Sequence, residues 1–308
     1  MNDETSEIAM VNAAAIAGRA SFELERQLAL PHPPGLYLVA TPIGHLADMT
    51  LRAIATLARA DVVYCEDTRH SRTLLAHYAI RAPLRPYHEH NAEEQRPRIL
   101  NELADGKVVA LISDAGTPLV SDPGFKLVRE AAAHGHAVVS VPGPSASLTA
   151  LTVSGLPTDA FFFAGFLPAK EGARRTRLAE LAAVPGTLVF FEAPTRTAAT
   201  LADLAHVLGD REAAVARELT KLHEEVRRGS LSTLARDTAE EALKGEVVIV
   251  VGPPAAGDVD DAAIEASLAR ALETLSIRDA SRMVSETLKV PKARVYDLAL
   301  ELKRRDPR

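Results

Sequence analysis

The stretch 111–127, LISDAGTPLVSDPGFKL, constrains this chain most. An apolar run, 107–112, stops at Ser113-Asp114, and a Gly-containing loop follows. A helix is then expected to start at Asp122-Pro123, since Asp is a good N-cap and Pro suits the first turn. The pattern reads as strand, tight loop, helix. In open α/β sheets, small ligands bind at loops on the carboxyl ends of parallel strands. Gly116 would let backbone approach a ligand closely, and Asp114 offers an acceptor for ribose hydroxyls or an amine.

The rest of the chain fits a large α/β protein. Its 308 residues allow two domains and a small third. The longest apolar runs, such as 161–164 and 247–251, are of strand length and far short of a membrane span. No signal peptide is visible. The single cysteine, Cys65, excludes an internal disulfide framework and fits a reducing cytoplasm. Tryptophan is absent and aromatics make up 4% of residues, which argues against a single-strand-binding barrel. The net charge of −6 does not announce a nucleic-acid binder, but its distribution is uneven. From Arg278 onward nine basic residues face five acidic ones, leaving this tail at +4 and the remainder at −10. Such a tail suits a polyanion or is simply a solvated helical segment.

Residues 1–33 are Ala-rich and read as a flexible extension with one helix, 13–30. An N-terminal α/β domain is expected over 34–155, with strands at 36–40, 62–65, 107–112 and 137–141. Helices are expected at 48–60 (capped by Asp48), 68–78, 92–104, 122–134 and 145–154. A second α/β domain, 156–254, has strands at 161–164, 187–192, 213–217, 225–228 and 246–251. Its helices are expected at 171–183, 195–208 and 231–238. Alternating strands and helices give two α/β halves. The composition of 253–258, PPAAGD, marks a linker. A helical basic module at 260–308 follows, with helices at 262–275, from Ser276 to Leu288, and at 292–303. Its last two helices fit a helix-turn-helix or a small bundle that packs on the body or on a partner subunit.

Four loops of the first half follow strands and should crowd one sheet edge. These are Thr41-Pro42-Ile43-Gly44, Glu66-Asp67-Thr68-Arg69, 114–118 and 142–146. In the second half, Glu192-Ala193-Pro194 and Glu218-Leu219-Thr220-Lys221 follow strands. Neither GxGxxG nor GxxxxGK[ST] occurs, so the usual pyrophosphate cradles are missing. A cofactor with a ribose, an adenine and an amino-acid moiety would suit such loops. Each feature also has a structural explanation. Asp122, Asp48 and Ser145 can be helix caps, and Glu66 to Arg69 a capping group with a surface Arg. His88 and His90 lack further ligands at fixed spacing, so no metal is expected. Lys170, Arg174, Arg175 and Arg177 could meet phosphates or form a charged helix face.

Taken in order, eight motifs make a recognisable set. They are LYLVATPIGHLADMTLRA, CEDTRHSRTLL, YHEHNA, LISDAGTPLVSDPG, VPGPSASLTALTVSGLP, FFFAGFLPAK, FFEAPTR and RELTKLHEE. The chain resembles the bacterial 16S rRNA (cytidine-2′-O)-methyltransferase family, from about Gly35 to Gly252 and more loosely in the C-terminal helices. The resemblance implies a tetrapyrrole-methylase fold, S-adenosyl-L-methionine as cofactor held in a cleft between the halves, and a homodimer in the cytoplasm. It implies 16S rRNA, within the small ribosomal subunit, as partner, and neither DNA nor membrane. Residues matching the family's cofactor-site motifs are Pro42, Gly44, Asp114, Ala115, Gly116, Thr117, Ser145, Ala146, Glu192 and Leu219. Three positions depart from the family pattern: His45 for Asn after TPIG, Ala92 for Glu after HEHN, and Thr195 for His in EAPHR.

The implied reaction is in-line attack of a ribose 2′-oxygen on a sulfonium methyl. Because the hydroxyl is poorly acidic, positioning and a general base would both help. Glu66, Asp67, Glu192 and Lys221 are base candidates, Lys221 only with a depressed pKa, and Arg69 could hold a phosphate. The rivals are a corrin-type small-molecule methyltransferase of the same fold, a non-catalytic ribosome-assembly factor, and a metal-dependent hydrolase built on Asp114 and Asp122.

Overall fold

The computed structural model describes residues 3–121, 123–241, 243–254, 261–288 and 290–305. The chain divides into two compact units, Met1–Ala146 and Ser147–Arg308. Among the described residues no helix is long and apolar enough to cross a membrane.

The first unit carries five strands: β1 (Gly35–Val39), β2 (Val62–Cys65), β3 (Leu84–Pro86), β4 (Val108–Ile112) and β5 (Val138–Val141). All pair in parallel, in the order β3-β2-β4-β1-β5. The unbroken apolar runs VVYC and VVALI explain this, because a sheet covered on both faces needs apolar side chains in both directions. One face buries Val39, Val63 and Ile112 with Ala53 and Leu57 of α2 (Leu51–Arg59) and Leu75 of α3 (Thr68–His77). The other buries Leu36, Tyr64 and Leu111 with Ile99 of α4 (Ala92–Ala104) and Leu127 of α5 (Phe125–Ala133). The N-terminal helix α1 (Asp3–Ala29) runs longer than the segment read from sequence. It lies along α2, where Arg59 Nη1 donates to Leu28 O at 2.5 Å.

Two helix starts differ from expectation. Thr50, not Asp48, caps α2, its hydroxyl accepting from Ala53 N at 3.1 Å, while Asp48 closes a short 3-10 turn. The helix α5 starts at Phe125 behind Gly124, which lies at φ 142° and carries no side-chain cap. Asp122 lies outside the described residues. The strand β3 escapes sequence reading, since its three residues follow one proline and end on another and carry no alternation to read.

Helix α6 (Ala146–Ser154) starts at the last residue of the first unit and lies otherwise in the second. Arg228 ties the end of this helix to the unit, with Nε donating to Ser154 O at 3.1 Å and Nη2 to Val153 O. The sheet order is β6 (Phe161–Phe166), β7 (Thr187–Glu192), β10 (Val247–Val251), β8 (Glu212–Arg217), β9 (Glu225–Ser230). Here β10 is antiparallel to both β7 and β8, and β8 forms an antiparallel pair with β9, so the sheet is mixed. Leu178 of α7 (Glu171–Leu181), Leu201 and Leu204 of α8 (Thr197–Leu208) and Leu231 of α9 (Leu231–Glu240) pack with Leu188, Phe190 and Ile249. The basic cluster on α7 is structural: Arg174 is buried with Nε 2.6 Å from Asp203, and Arg175 reaches the same carboxylate at 2.8 Å.

Three helices end the chain: α10 (Asp261–Leu272), α11 (Ile277–Leu288) and α12 (Lys292–Arg305). Ser276 accepts from Asp279 N at 3.2 Å and so caps α11, as its place in the sequence suggests. Ile264, Leu268, Ala280, Val284, Val295 and Leu298 form their own small core.

Candidate active site

The strand order of the first sheet creates its site. From β1 the chain travels to β2, and from β4 it travels the opposite way to β5, yet β1 and β4 are neighbours. Loops that diverge from adjacent parallel strands leave a crevice at their carboxyl ends, where ligands bind in open α/β sheets. The loops that open this crevice are Thr41 to Gly44 and Ser113 to Thr117. Since all five strands are parallel, the loops after β2 and β5 reach the same edge, as expected from sequence.

Backbone contacts lock these loops together. Thr41 N donates to Gly116 O and Gly116 N to Thr41 O, both at 3.0 Å. The buried Thr41 hydroxyl donates to Ser113 O at 3.0 Å, and Thr117 Oγ1 to Pro144 O at 3.0 Å. Gly116 sits at φ +85°, and a Cβ there would lie 3.1 Å from Ile43 Cγ2. Asp114 Oδ1 accepts from Asp67 N at 3.0 Å, which joins the β2 and β4 loops. Among the described residues its second oxygen takes no hydrogen bond. Pro42 is buried, Gly44 and Ala115 are exposed, and Thr117, Ser145 and Ala146 are half-buried along the same edge. Thus Pro42, Gly44, Asp114, Ala115, Gly116, Thr117, Ser145 and Ala146 are brought together. His45 accepts from Ala47 N at 3.2 Å, which gives that departure a local capping role.

A small recess opens beside them, lined by Glu66, Tyr87, Ser113 and Pro118 among others. His88 follows Tyr87, and its Nδ1 is buried with no hydrogen-bond partner. The neighbouring Asp67 and Arg69 are surface groups. Arg69 Nη2 lies 2.7 Å from Asp67 Oδ2, and its side chain is 86% exposed. The hydrogen bonds from the Arg69 side chain and backbone hold the Asp67 carboxyl down at about 2.

In the second unit, Glu192 and Arg217 flank Val247 across the sheet, so the loops after β7 and β8 share an edge. Glu192 is buried. Its carboxylate takes Arg196 Nη2 at 2.5 Å, Thr200 Oγ1 at 2.6 Å and Ala193 N at 2.7 Å. Glu192 thus organises its own loop, and sequence reading misses its partners. Leu219 is buried between Glu218 and Thr220, which adopt left-handed φ values of 50° and 64°. Glu218 Oε1 accepts from Glu246 N and from Lys221 Nζ, each at 3.0 Å. Burial alone would lower the Lys221 ammonium, but Glu218 and Glu246 outweigh it and raise its pKa. Lys221 is therefore an ammonium clamp here, opposite to the depressed value a base would need.

This arrangement of motifs and sheet edges has counterparts. Residues 35–235 match the family described as Tetrapyrrole (Corrin/Porphyrin) Methylases, and residues 258–303 match the RsmI C-terminal HTH domain. A protein of Mesorhizobium japonicum named Ribosomal RNA small subunit methyltransferase I is 55% identical over 280 residues, covering 89% of this chain and 94% of its own. One of the same name from Xylella fastidiosa is 49% identical over 270 residues, covering 86% and 98%. The chain belongs to the ribosomal RNA small subunit methyltransferase I family. Its fold is that of the tetrapyrrole methylases. The methyltransferase CobJ superimposes with a TM-score of 0.55 at 21% identity, over 72% of this chain and 95% of that one. Uroporphyrin-III C-methyl transferase from Thermus thermophilus, complexed with S-adenyl homocysteine, gives 0.51 at 25% identity, over 71% and 97%. Helix-turn-helix is thus the family's description of the C-terminal helices, one of the two arrangements the sequence allows.

Proposed function

We propose that this protein transfers a methyl group from S-adenosyl-L-methionine to the ribose 2′-hydroxyl of a cytidine in 16S rRNA, as a cytoplasmic homodimer acting on the small ribosomal subunit. The observation that carries the reading is the stapled pair of loops at the switch point, Thr41 to Gly44 and Ser113 to Thr117, with the Asp114 carboxylate beside them. The cofactor suits these residues. It brings ribose hydroxyls and an amine, which are donors, to a carboxylate with an open oxygen. A relative of the same fold was solved with S-adenyl homocysteine, and the family name supports rRNA as the acceptor.

In this reading Asp114 and the backbone of Pro42, Gly44, Ala115, Thr117, Ser145 and Ala146 hold the cofactor, with Glu192 and Leu219 shaping the second-half loops. When bound, the cofactor supplies an electrophilic methyl on a sulfonium that leaves as a neutral thioether. The chain's own task is to place a hydroxyl in line with that methyl and to take its proton. Placement alone can contribute much of the barrier reduction. Asp67, held near 2, is a feeble proton acceptor, and Lys221 is already protonated. Glu66, at the rim of the recess, is the carboxylate we assign to accept the proton, with the exposed Arg69, held by Asp67, presented to a backbone phosphate. Asp67 then orients Arg69, and Lys221 orients the loop that carries Leu219.

Methyl-labelled cofactor, small subunits and mapping of rRNA ribose methylation test the reading. Label on a cytidine 2′-oxygen supports it; label on no RNA, or on a corrin-type ring instead, overturns it. Glu66→Gln should lower kcat by roughly 100-fold, the lower range for a general base, with little change in KM. An unchanged kcat removes Glu66 from that role.

A further inference from the structure

We propose that Phe125 and Arg129 form a stacking platform for an unpaired RNA base, beside the candidate active site. The inference rests on the reading of the protein as an rRNA methyltransferase and adds where the flanking strand is held. The helix α5 begins where the Asp114 loop ends, so Phe125 stands at the same carboxyl edge of the sheet as Asp114. The inward residues of α5, Leu127 and Ala131, are fully buried, whereas Phe125 is 67% exposed. The core therefore makes no use of this ring. Positions 125 and 129 are one turn apart on one helix face. The Arg129 guanidinium carbon lies 5.7 Å from the Phe125 ring centroid. Among the described residues Arg129 makes no ion pair. Lys126, the next residue along the helix, is also exposed and is taken up by Glu93 at 2.6 Å.

A ring with a guanidinium over it suits a polyanion that also carries flat apolar faces. Single-stranded RNA is recognised by stacking its splayed bases on aromatic rings and guanidinium planes. The cation over the ring extends the flat surface and adds charge for the phosphates. The proposed reaction needs a ribose hydroxyl presented in line at the sheet edge, so its strand must leave regular stacking there. A base held on Phe125 would stabilise that opened conformation.

The experiment uses the full-length protein. It measures KM for small subunits and for S-adenosyl-L-methionine, together with the oligomeric state by sedimentation. Phe125→Ala should raise the subunit KM about tenfold, within the range for losing one stacked base, and leave the cofactor KM and the sedimentation unchanged. Phe125→Tyr should restore the KM. Because the chain contains no tryptophan, Phe125→Trp supplies a unique fluorophore. Its emission should be quenched by a short oligocytidine RNA. Quenching supports the platform even if the wild-type protein methylates no RNA, so the two readings fail separately. An unchanged subunit KM in Phe125→Ala, unquenched emission from Phe125→Trp, or a shift from dimer to monomer with unchanged RNA affinity overturns the platform.

Discussion

The two units build their loop edges with different materials. In the first, main chain holds main chain: Thr41 and Gly116 exchange both of their hydrogen bonds, and the Asp114 carboxylate adds a link to the Asp67 amide. In the second, carboxylates hold the loops, Glu192 through Arg196 and Thr200, and Glu218 through Lys221 and the Glu246 amide. A backbone bridge has no titrating group and depends on which residue can adopt its torsions. A carboxylate clamp tolerates backbone variation but fails when its charge is removed. The first edge should therefore break at glycine, and the second at glutamate.

The largest effect is expected at Glu192. With Glu192→Ala, the Arg196 guanidinium and the Thr200 hydroxyl lose their shared partner inside the protein. Removing one member of a buried pair costs about 3 kcal/mol or more. Urea unfolding should show that loss, and Glu192→Gln should recover part of it. Equal stability of Glu192→Ala and wild type would show that charge does not hold this loop. Next comes Gly116→Ala. Forcing an L side chain into the left-handed region costs roughly 1–2 kcal/mol, and its Cβ presses on Ile43. The cofactor KM should rise while the rRNA KM stays near wild type. A cofactor KM matching wild type would mean that the bridge does not shape the cofactor loops.

The smallest effect is in the pH response. The Glu218 carboxyl is held below its ordinary value by the Glu246 amide first and by Lys221 second. Its contribution to stability is complete above the unfolded carboxyl range, about pH 4–5, and is lost as pH falls through its lower folded value. Lys221 is raised, so its contribution is complete below its unfolded value of about 10.4 and is lost only above that. The clamp is thus at full strength from about pH 5 to 10. Below that window the Glu246 amide should lose hydrogen-exchange protection, corrected for intrinsic rate, before the Gly116 amide does. Simultaneous loss at both amides would erase the proposed difference between the edges.

The first edge is more legible in the sequence than the second. Strands such as VVALI and the punctuation at Ser113 and Pro142 place loops after strands, and parallel pairing then brings them together. The Thr41–Gly116 bridge is invisible there, because its partners belong to segments far apart and nothing in TPIG or DAGT names the other. In the second half, Glu192, Arg196 and Thr200 stand in sequence register, four residues apart. They still do not read as one group, because their shared carboxylate looks like a catalytic acid until its burial is known. Lys221 shows the same difficulty with opposite sign. Its pKa depends on Glu246, which a distant strand brings beside it. The start of α2 fails at Asp48 for a local reason: Asp48 and Thr50 are both capping residues, and only the backbone turn selects Thr50.

The insertion of β4 between β1 and β2 has a consequence for the order of synthesis. Thr41 bonds to Ser113 across 72 positions of chain, so the edge that β1 begins is completed only after β4 has emerged. A nascent chain must carry β1 and β2 without their central neighbour while the intervening helices form. Long-range parallel pairing of this kind closes slowly. A ribosome stalled before Val108 would therefore display a half-built sheet with an open apolar gap, which a chaperone could grasp and the finished protein hides.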